Sequence, residues 1–502
     1  MATDPTAESA PDTYEEFIET VQRLGNIEAA EGVLKWDQEV MMPEGGTPAR
    51  AQQMSTLNGI AHETLTSDEM ASYIDELSEA DLSDDQQAVL REVRRQYERA
   101  DAVPTELVEE ISKTTSEAHP VWKEAKENDD FDQFAPTLEN LLDLKRQEAE
   151  YVDPDRDPYE VLFEDYEPYL GLDTAEEILQ TLRDELVPFV DELQDADADL
   201  ADPFEGTYPV GDQRGLVREV LDTLGYDWEH GRLDDAPHPF SMGNTFDARV
   251  TTRFDEEDPL GALASTIHEF GHAFYTLGLP EEHYGTPLGQ PRDLSVHESQ
   301  SRLWENHVGR SRAFWDYFAP TLNDHLGTDF GVGELYEAAN QIYPDNLIRV
   351  EADELTYHMH IVLRFEIERD LISGDLDVEE VPKVWNDRME EYLGVRPDTD
   401  AEGALQDIHW SHGTFGYFPT YSLGSVMAAQ LYAAAEDDIT DLEGKIREGD
   451  FEPLANWLRE NVHSQGKRYT TDELVREATG ESFTADYFVE YVEDKFGDLY
   501  GI

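Results

Sequence analysis

Over residues 14–34 the apolar side chains Phe17, Val21, Leu24, Ile27 and Ala30 recur at three- and four-residue steps, the spacing of one face of an α-helix. The same period predicts further long helices over 85–99, 104–127 and 131–151. Between them Met42-Pro43-Glu44-Gly45-Gly46-Thr47-Pro48 is punctuated as a loop, with helical patterning resuming at Ala49. Proline and aspartate over 153–158 mark a turn, and 197–208 reads as a second loop-rich stretch. One segment departs from the helical period: in 247–254, Val250 and Thr251 sit among charged residues and predict a strand, hence a small sheet. No internal repeat and no linker divides the chain. The pattern therefore predicts a mainly α fold, one large helical unit over 13–502 behind a short disordered lead-in at 1–12.

Composition narrows the classes of function. The chain has 502 residues, 39% of them hydrophobic, enough for a sizeable core. No apolar run approaches the roughly 20 residues that a membrane-spanning helix needs. The opening MATDPTAESAPD has neither the basic start nor the apolar stretch of a secretory signal, so a cytoplasmic location is expected. There is no cysteine, which excludes disulfides, thiolate nucleophiles and cysteine metal sites. The 36 basic residues against 114 acidic ones leave a net charge of −78. Such a surface repels phosphate, so neither nucleic acid nor an anionic membrane is an expected partner. Its self-repulsion is relieved when molar salt shortens the Debye length to about 3 Å, which points to a halophilic, archaeal source.

The chemistry is carried by His268-Glu269-Phe270-Gly271-His272. On a helix the two imidazoles, four residues apart, share one face and can reach one ion, with Glu269 beside it. Asp258 is a suitable N-cap, Pro259 suits the first turn, and Gly278 is placed to end the helix. Leu263, Ile267, Phe270, Phe274 and Leu277 supply an apolar face. A catalytic zinc needs three protein ligands and an open position, and Glu298, on a second predicted helix, is the candidate third ligand. Two alternatives stand beside it: Ser295 and Glu298 also have the spacing of a capping box, and His297 can ligate instead. Zinc would lower the pKa of water to about 7 and polarise a scissile carbonyl, with Glu269 as general base and acid. No lysine lies between Lys145 and Lys383, so the developing oxyanion would be met by a His, Tyr or Arg.

Several further blocks occur in a fixed order along the chain. They are Trp36-Asp37-Gln38 with Met42-Pro43, His238-Pro239-Phe240, Asp247-Ala248-Arg249-Val250-Thr251, the HEFGH helix, and His297-Glu298-Ser299-Gln300. Ile348-Arg349-Val350-Glu351-Ala352-Asp353-Glu354 and Gly403-Ala404-Leu405-Gln406-Asp407-Ile408-His409-Trp410 complete the series. With these blocks the chain resembles the thermostable metallocarboxypeptidases, the carboxypeptidase Taq family, over nearly its whole length. The resemblance implies a helical, saddle-shaped fold with a deep groove, a homodimer, and release of single amino acids from peptide C-termini with broad specificity that disfavours proline. It implies zinc, with cobalt as a substitute.

A carboxypeptidase must hold the substrate's terminal carboxylate, and a bidentate arginine is the natural partner. Arg349 is the first candidate, with pairing to Asp353 or Glu354 as its alternative. Arg249 is the second, its alternative being an ion pair that holds the strand. His409 and Tyr421, from the glycine- and aromatic-rich stretch that follows Asp407, are candidates for oxyanion stabilisation or substrate contact, and His238 for substrate contact. Trp410, Phe415 and Phe418 in that stretch read as core residues. Competing functions are a helical HExxH oligoendopeptidase and a non-enzymatic helical scaffold with a vestigial metal site.

Overall fold

The computed structural model describes residues 12–196 and 198–502. The expected lead-in at 1–12 lies outside them apart from Asp12, which opens the first helix, Asp12–Val40. The helical period is realised throughout, in Asp84–Ala102, Thr105–Asn128 and Ala135–Val152, the last preceded by a 3-10 turn at Phe131–Gln133. The loop after Val40 is shorter than the sequence predicts. Pro48 fits the first turn of a helix, where its missing N–H is no loss, and the helix Thr47–Leu65 starts ahead of Ala49.

Two buried clusters hold the chain together. The larger runs from Ala118 to Phe496 and packs around Trp304, Trp315, Trp385 and the aromatic residues of the central helices. The smaller joins Phe17, Val21 and Leu24 to Met70, Ile74, Leu77, Val89 and Val93, and is closed by Leu288 from a distant loop. A buried ion pair ties the two regions. Arg292 donates to both oxygens of Glu92, at 2.9 and 3.0 Å, with both side chains almost wholly out of solvent.

The predicted strand forms as β3 (Asp247–Thr252), in the middle of a three-stranded sheet. It pairs in parallel with β1 (Leu233–Asp235) and antiparallel with β2 (Ser241–Asn244), Ser241 facing Val250. Its last residue, Thr252, accepts at 2.9 Å from Thr266 of the helix Pro259–Leu277, fixing the sheet against the helix that bears the HExxH motif.

Candidate metal centre

The motif helix Pro259–Leu277 starts as its sequence predicts. Asp258 accepts from the N–H of Gly261 at 2.8 Å, and Pro259 takes the first turn. Its apolar side is buried: Phe270 and Phe274 stand 5.2 and 5.7 Å from the ring of Trp304, each burial stabilising the fold by about 1.5–3 kcal/mol. Gly278 ends the helix, as predicted. Gly278 keeps a right-handed φ of −84°, so it is not a left-handed cap. It is small because a Cβ would lie 2.3 Å from Nδ1 of the buried His463.

The second predicted helix is Leu294–Arg302, and two glycines decide where it lies. A Cβ on Gly271, inside the HEFGH motif, would meet the backbone of Gln300 at 2.5 Å. One on Gly424, in the helix Pro419–Asp438, would stand 2.5 Å from Cβ and Cγ of Glu298. The glutamate helix is thus clasped from both sides at backbone contact distance.

The result is a three-residue cluster. Ligand atoms of His268, His272 and Glu298 all lie within 4.8 Å of one another, with Glu298 Oε2 3.8 Å from His268 Nε2 and 3.4 Å from His272 Nε2. The other ring nitrogens are engaged: His268 Nδ1 meets Glu305 at 2.9 Å, and His272 Nδ1 meets the backbone oxygen of His297 at 3.0 Å. This leaves both Nε2 atoms directed at one point beside a carboxylate, a donor set that fits a divalent cation. His297 stands behind the cluster, its Nδ1 2.6 Å from His272 Nδ1, and burial pushes its imidazole down to about 3. The capping-box alternative for Glu298 is not realised. The N-cap is Asp293, and Ser295 donates its backbone N–H and hydroxyl to the buried carboxyl of Glu167, at 2.7 and 2.6 Å.

Electrostatics keep the Glu298 and Glu305 carboxylates ionised. Burial alone would raise the Glu298 carboxyl, but Arg302, donating at 2.8 Å, and His268 hold it well below the usual carboxylate range. Glu305 is held low in the same way, with burial opposed by Arg302 and by His268. His268 is raised overall, because Glu298 and Glu305 outweigh its burial. Glu269 is itself buried, which lifts its carboxyl, while the two histidines pull it back.

Sequence reasoning missed Glu305, Arg302 and Arg310. After Arg302 the helix widens into a π-helical turn, Leu303–Gly309, from which Glu305 reaches His268 Nδ1 with one oxygen and Arg310 with the other, at 2.9 Å each. The one available signal is the spacing Glu298, Arg302, Glu305 on one helix face.

The other predicted residues separate into two groups. Arg349 is buried and bonds Asp407 at 2.8–3.0 Å and the Tyr357 hydroxyl at 3.0 Å, not Asp353 or Glu354. Its guanidinium lies 5.1 Å from the Tyr421 ring centre, and the Tyr421 hydroxyl is 3.4 Å from His409 Nε2. The Tyr357 ring also carries Arg302, 5.1 Å from its centre, which links this group to Glu298. Burial pushes the His409 imidazole down to about 4, so it is neutral at physiological pH.

Arg249 lies elsewhere. It pairs with Asp247, at 2.5–2.8 Å, and stands over Trp36 in a cavity of about 190 Å³. The ion pair of its alternative is present, with a carboxylate of the same strand. His238 is exposed, two residues before the Phe240 that packs on Trp36 at 5.2 Å. Trp410, Phe415 and Phe418 are core residues, as expected.

Comparison with known proteins identifies the family. The sequence profile of the carboxypeptidase Taq (M32) metallopeptidases matches residues 16–496. Thermostable carboxypeptidase 1 of Thermus thermophilus is 37% identical over 97% of this chain and 99% of its own length. Carboxypeptidase 1 of Bacillus subtilis is 36% identical with the same coverage. The crystal structure of an M32 carboxypeptidase from Deinococcus radiodurans superposes with a TM-score of 0.94, at 38% identity, over 98% of this chain and all of that one. The chain belongs to the carboxypeptidase Taq family of metallopeptidases, and it is a metallocarboxypeptidase.

Proposed function

We propose that His268, His272 and Glu298 hold a zinc ion and that Glu269 is the general base and acid of peptide-bond hydrolysis. The observation that carries this reading is the convergence of three ligand atoms within 4.8 Å beside a buried Glu269. When bound, the metal supplies a Lewis acid that lowers the pKa of water and polarises the scissile carbonyl. Glu269 takes a proton from water and delivers it to the leaving amine, and its burial favours the protonated form needed for the second half of that transfer. Glu305 and the His297 carbonyl hold the imidazoles in the tautomer that presents Nε2. Glu269→Gln should abolish turnover while leaving metal content unchanged; residual turnover near the wild-type rate would remove Glu269 from the chemistry.

Arg349 is the residue proposed to receive the substrate's terminal carboxylate. Its support is a charge count: Asp407 is shared by Arg349 and by Arg364, which donates at 2.6 Å, so two guanidiniums face one carboxylate. One positive charge is left over within a chain of −78. His409 and Tyr421, beside it, serve the oxyanion or the peptide. Arg349→Ala should raise KM for peptides far more than it weakens metal binding. A peptide and its C-terminally amidated twin separate the two peptidase modes: a C-terminal ladder lost on amidation supports this reading, and internal fragments from both refute it.

The reading extends to single-residue release with broad specificity that disfavours proline, to cobalt as a substitute metal, to a homodimer, and to the cytoplasm of a halophilic archaeon. The support for the last is the charge of −78. Retention of full helical content and activity after dialysis into dilute buffer would remove the halophilic part.

A further inference from the structure

Arg364 belongs to the helix Tyr357–Ser373 and is wholly buried. A guanidinium taken out of water is costly unless its partners offset the loss, and here the partners are few. Its Nε donates to Asp407 Oδ2 at 2.6 Å, and a terminal nitrogen donates to the carbonyl of His360 at 2.6 Å. The ring of Trp385 lies 4.4 Å from its central carbon. Substrate cannot reach such a side chain, so any part it plays in the reaction passes through Asp407.

Asp407 divides its oxygens between two arginines. Oδ1 accepts from Nε and a terminal nitrogen of Arg349, at 3.0 and 2.8 Å, while Oδ2 faces Arg364. Burial alone would raise the Asp407 carboxyl, but Arg364 and Arg349 hold it well below the usual carboxylate range. Burial pushes the Arg364 guanidinium down only to about 10, so it stays charged at neutral pH.

The neighbouring rings add no charge. His409 Nδ1 stands 3.9 Å from Asp407, and burial pushes its imidazole down to about 4 and that of His360 to about 3. Burial raises the hydroxyls of Tyr357 and Tyr421, which stay protonated. Lys126, partly exposed, donates to the Gln406 carbonyl at 2.8 Å and forms no ion pair with Asp407. Arg349, Asp407 and Arg364 therefore carry one net positive charge together, and without Arg364 they would carry none.

Other residues already put the two partners in place. One turn further along the same helix, Glu368 accepts from Trp410 Nε1 at 2.9 Å and from the Gly416 N–H at 3.0 Å, which anchors the segment after Asp407. Gln406 Oε1 accepts from the Arg349 N–H at 2.9 Å and fixes that backbone beside it. What Arg364 adds to these anchors is its charge.

We propose that Arg364 is a positioning residue for substrate binding: it neutralises Asp407 and so keeps Arg349 a net cation toward the substrate's terminal carboxylate. This role rests on the assignment of Arg349 made above. Arg349 and Asp407 alone would form a closed, neutral pair, and the buried third member turns that pair into an anion receptor.

Steady-state kinetics of the full-length, metal-loaded enzyme on an N-blocked dipeptide test this, in salt that preserves the helical signal. Arg364→Met should raise KM about tenfold with kcat within about threefold of the wild type. Arg364→Lys, which keeps the charge, should raise KM less. The double variant Arg364→Met/Asp407→Asn removes both charges, restores the net positive charge, and leaves an amide oxygen to accept from Arg349. Its KM should return to within about threefold of the wild type, whereas a merely structural Arg364 predicts a variant worse than the single one. Should Arg364→Met fail to fold, the double variant, free of an uncompensated carboxylate, decides alone: KM near the wild type supports the role, and a rise of about tenfold overturns it. Arg349→Ala separates the two assignments. If it leaves KM unchanged, both fall. If it raises KM while Arg364→Met does not, or while the double variant is no better than the single one, only the role of Arg364 falls.

Discussion

Gly424→Ala isolates the step that puts Glu298 in place. Gly424 lies inside the helix Pro419–Asp438, and a methyl group there would stand 2.5 Å from Cβ and Cγ of Glu298 and 3.2 Å from its carbonyl carbon. Carbon atoms settle at about 3.5–4.0 Å, so the two helices must part by about 1 Å. Two energies then oppose each other. Alanine gains about 1 kcal/mol over glycine in a helix interior, whereas overpacking costs about 1–3 kcal/mol. The metal-free variant should therefore lose only about 0–2 kcal/mol in denaturant unfolding. Metal affinity responds more sharply, because ligand distances tolerate only about 0.2 Å. A fall of at least about tenfold, or about 1.4 kcal/mol, is expected in competition with a chelator. Gly59→Ala is the control. Gly59 is exposed within Thr47–Leu65, with nothing within 4 Å of its Cβ position, so the variant should gain up to about 1 kcal/mol and bind metal unchanged. If Gly424→Ala keeps its metal affinity within about twofold, close helix approach does not position Glu298 and the reasoning fails.

Two further outcomes follow from buried carboxylates. Glu305→Gln preserves volume but removes the charge that faces His268, Arg302 and Arg310, and metal affinity should fall about 10–100-fold in chelator competition; an unchanged value would make Glu305 merely structural. Glu368, fully buried beneath Trp410, Gly416 and Tyr159, is pushed up to about 7 by burial. The folded chain therefore keeps this proton, and the unfolded chain loses it, between the ordinary value of 4.5 and about 7. Its contribution to stability is greatest below that window and declines as pH rises through it, by about 3 kcal/mol in total at about 1.4 kcal/mol per pH unit. Glu368→Gln should flatten this part of the profile, so that urea unfolding of the metal-free protein at pH 5 and pH 8 shows the variant gaining on the wild type by about that amount. An identical pH dependence in both proteins would refute the assignment.

Local chemistry was legible from the chain alone. The helical period marks most elements because each helix buries one face, and Asp258 with Pro259 starts the motif helix because a carboxylate satisfies free N–H groups wherever it stands. The HExxH spacing places two imidazoles on one face without reference to the rest of the fold. Where two elements meet is a different kind of information. Ser295 and Glu298 carry the same letters whether they form a capping box or separate, and what separates them is Glu167, 128 residues away in sequence, taking the Ser295 hydroxyl and N–H. Arg349 has acidic neighbours in its own block, yet its partner is Asp407, 58 residues on. Glu305 became visible only once the helix widened into a π turn. The sequence thus determined that two imidazoles share one helix face and how the motif helix begins. Tertiary structure decided which carboxylate faces which cation, because that depends on the backbone approach permitted by Gly271 and Gly424, which no local pattern encodes.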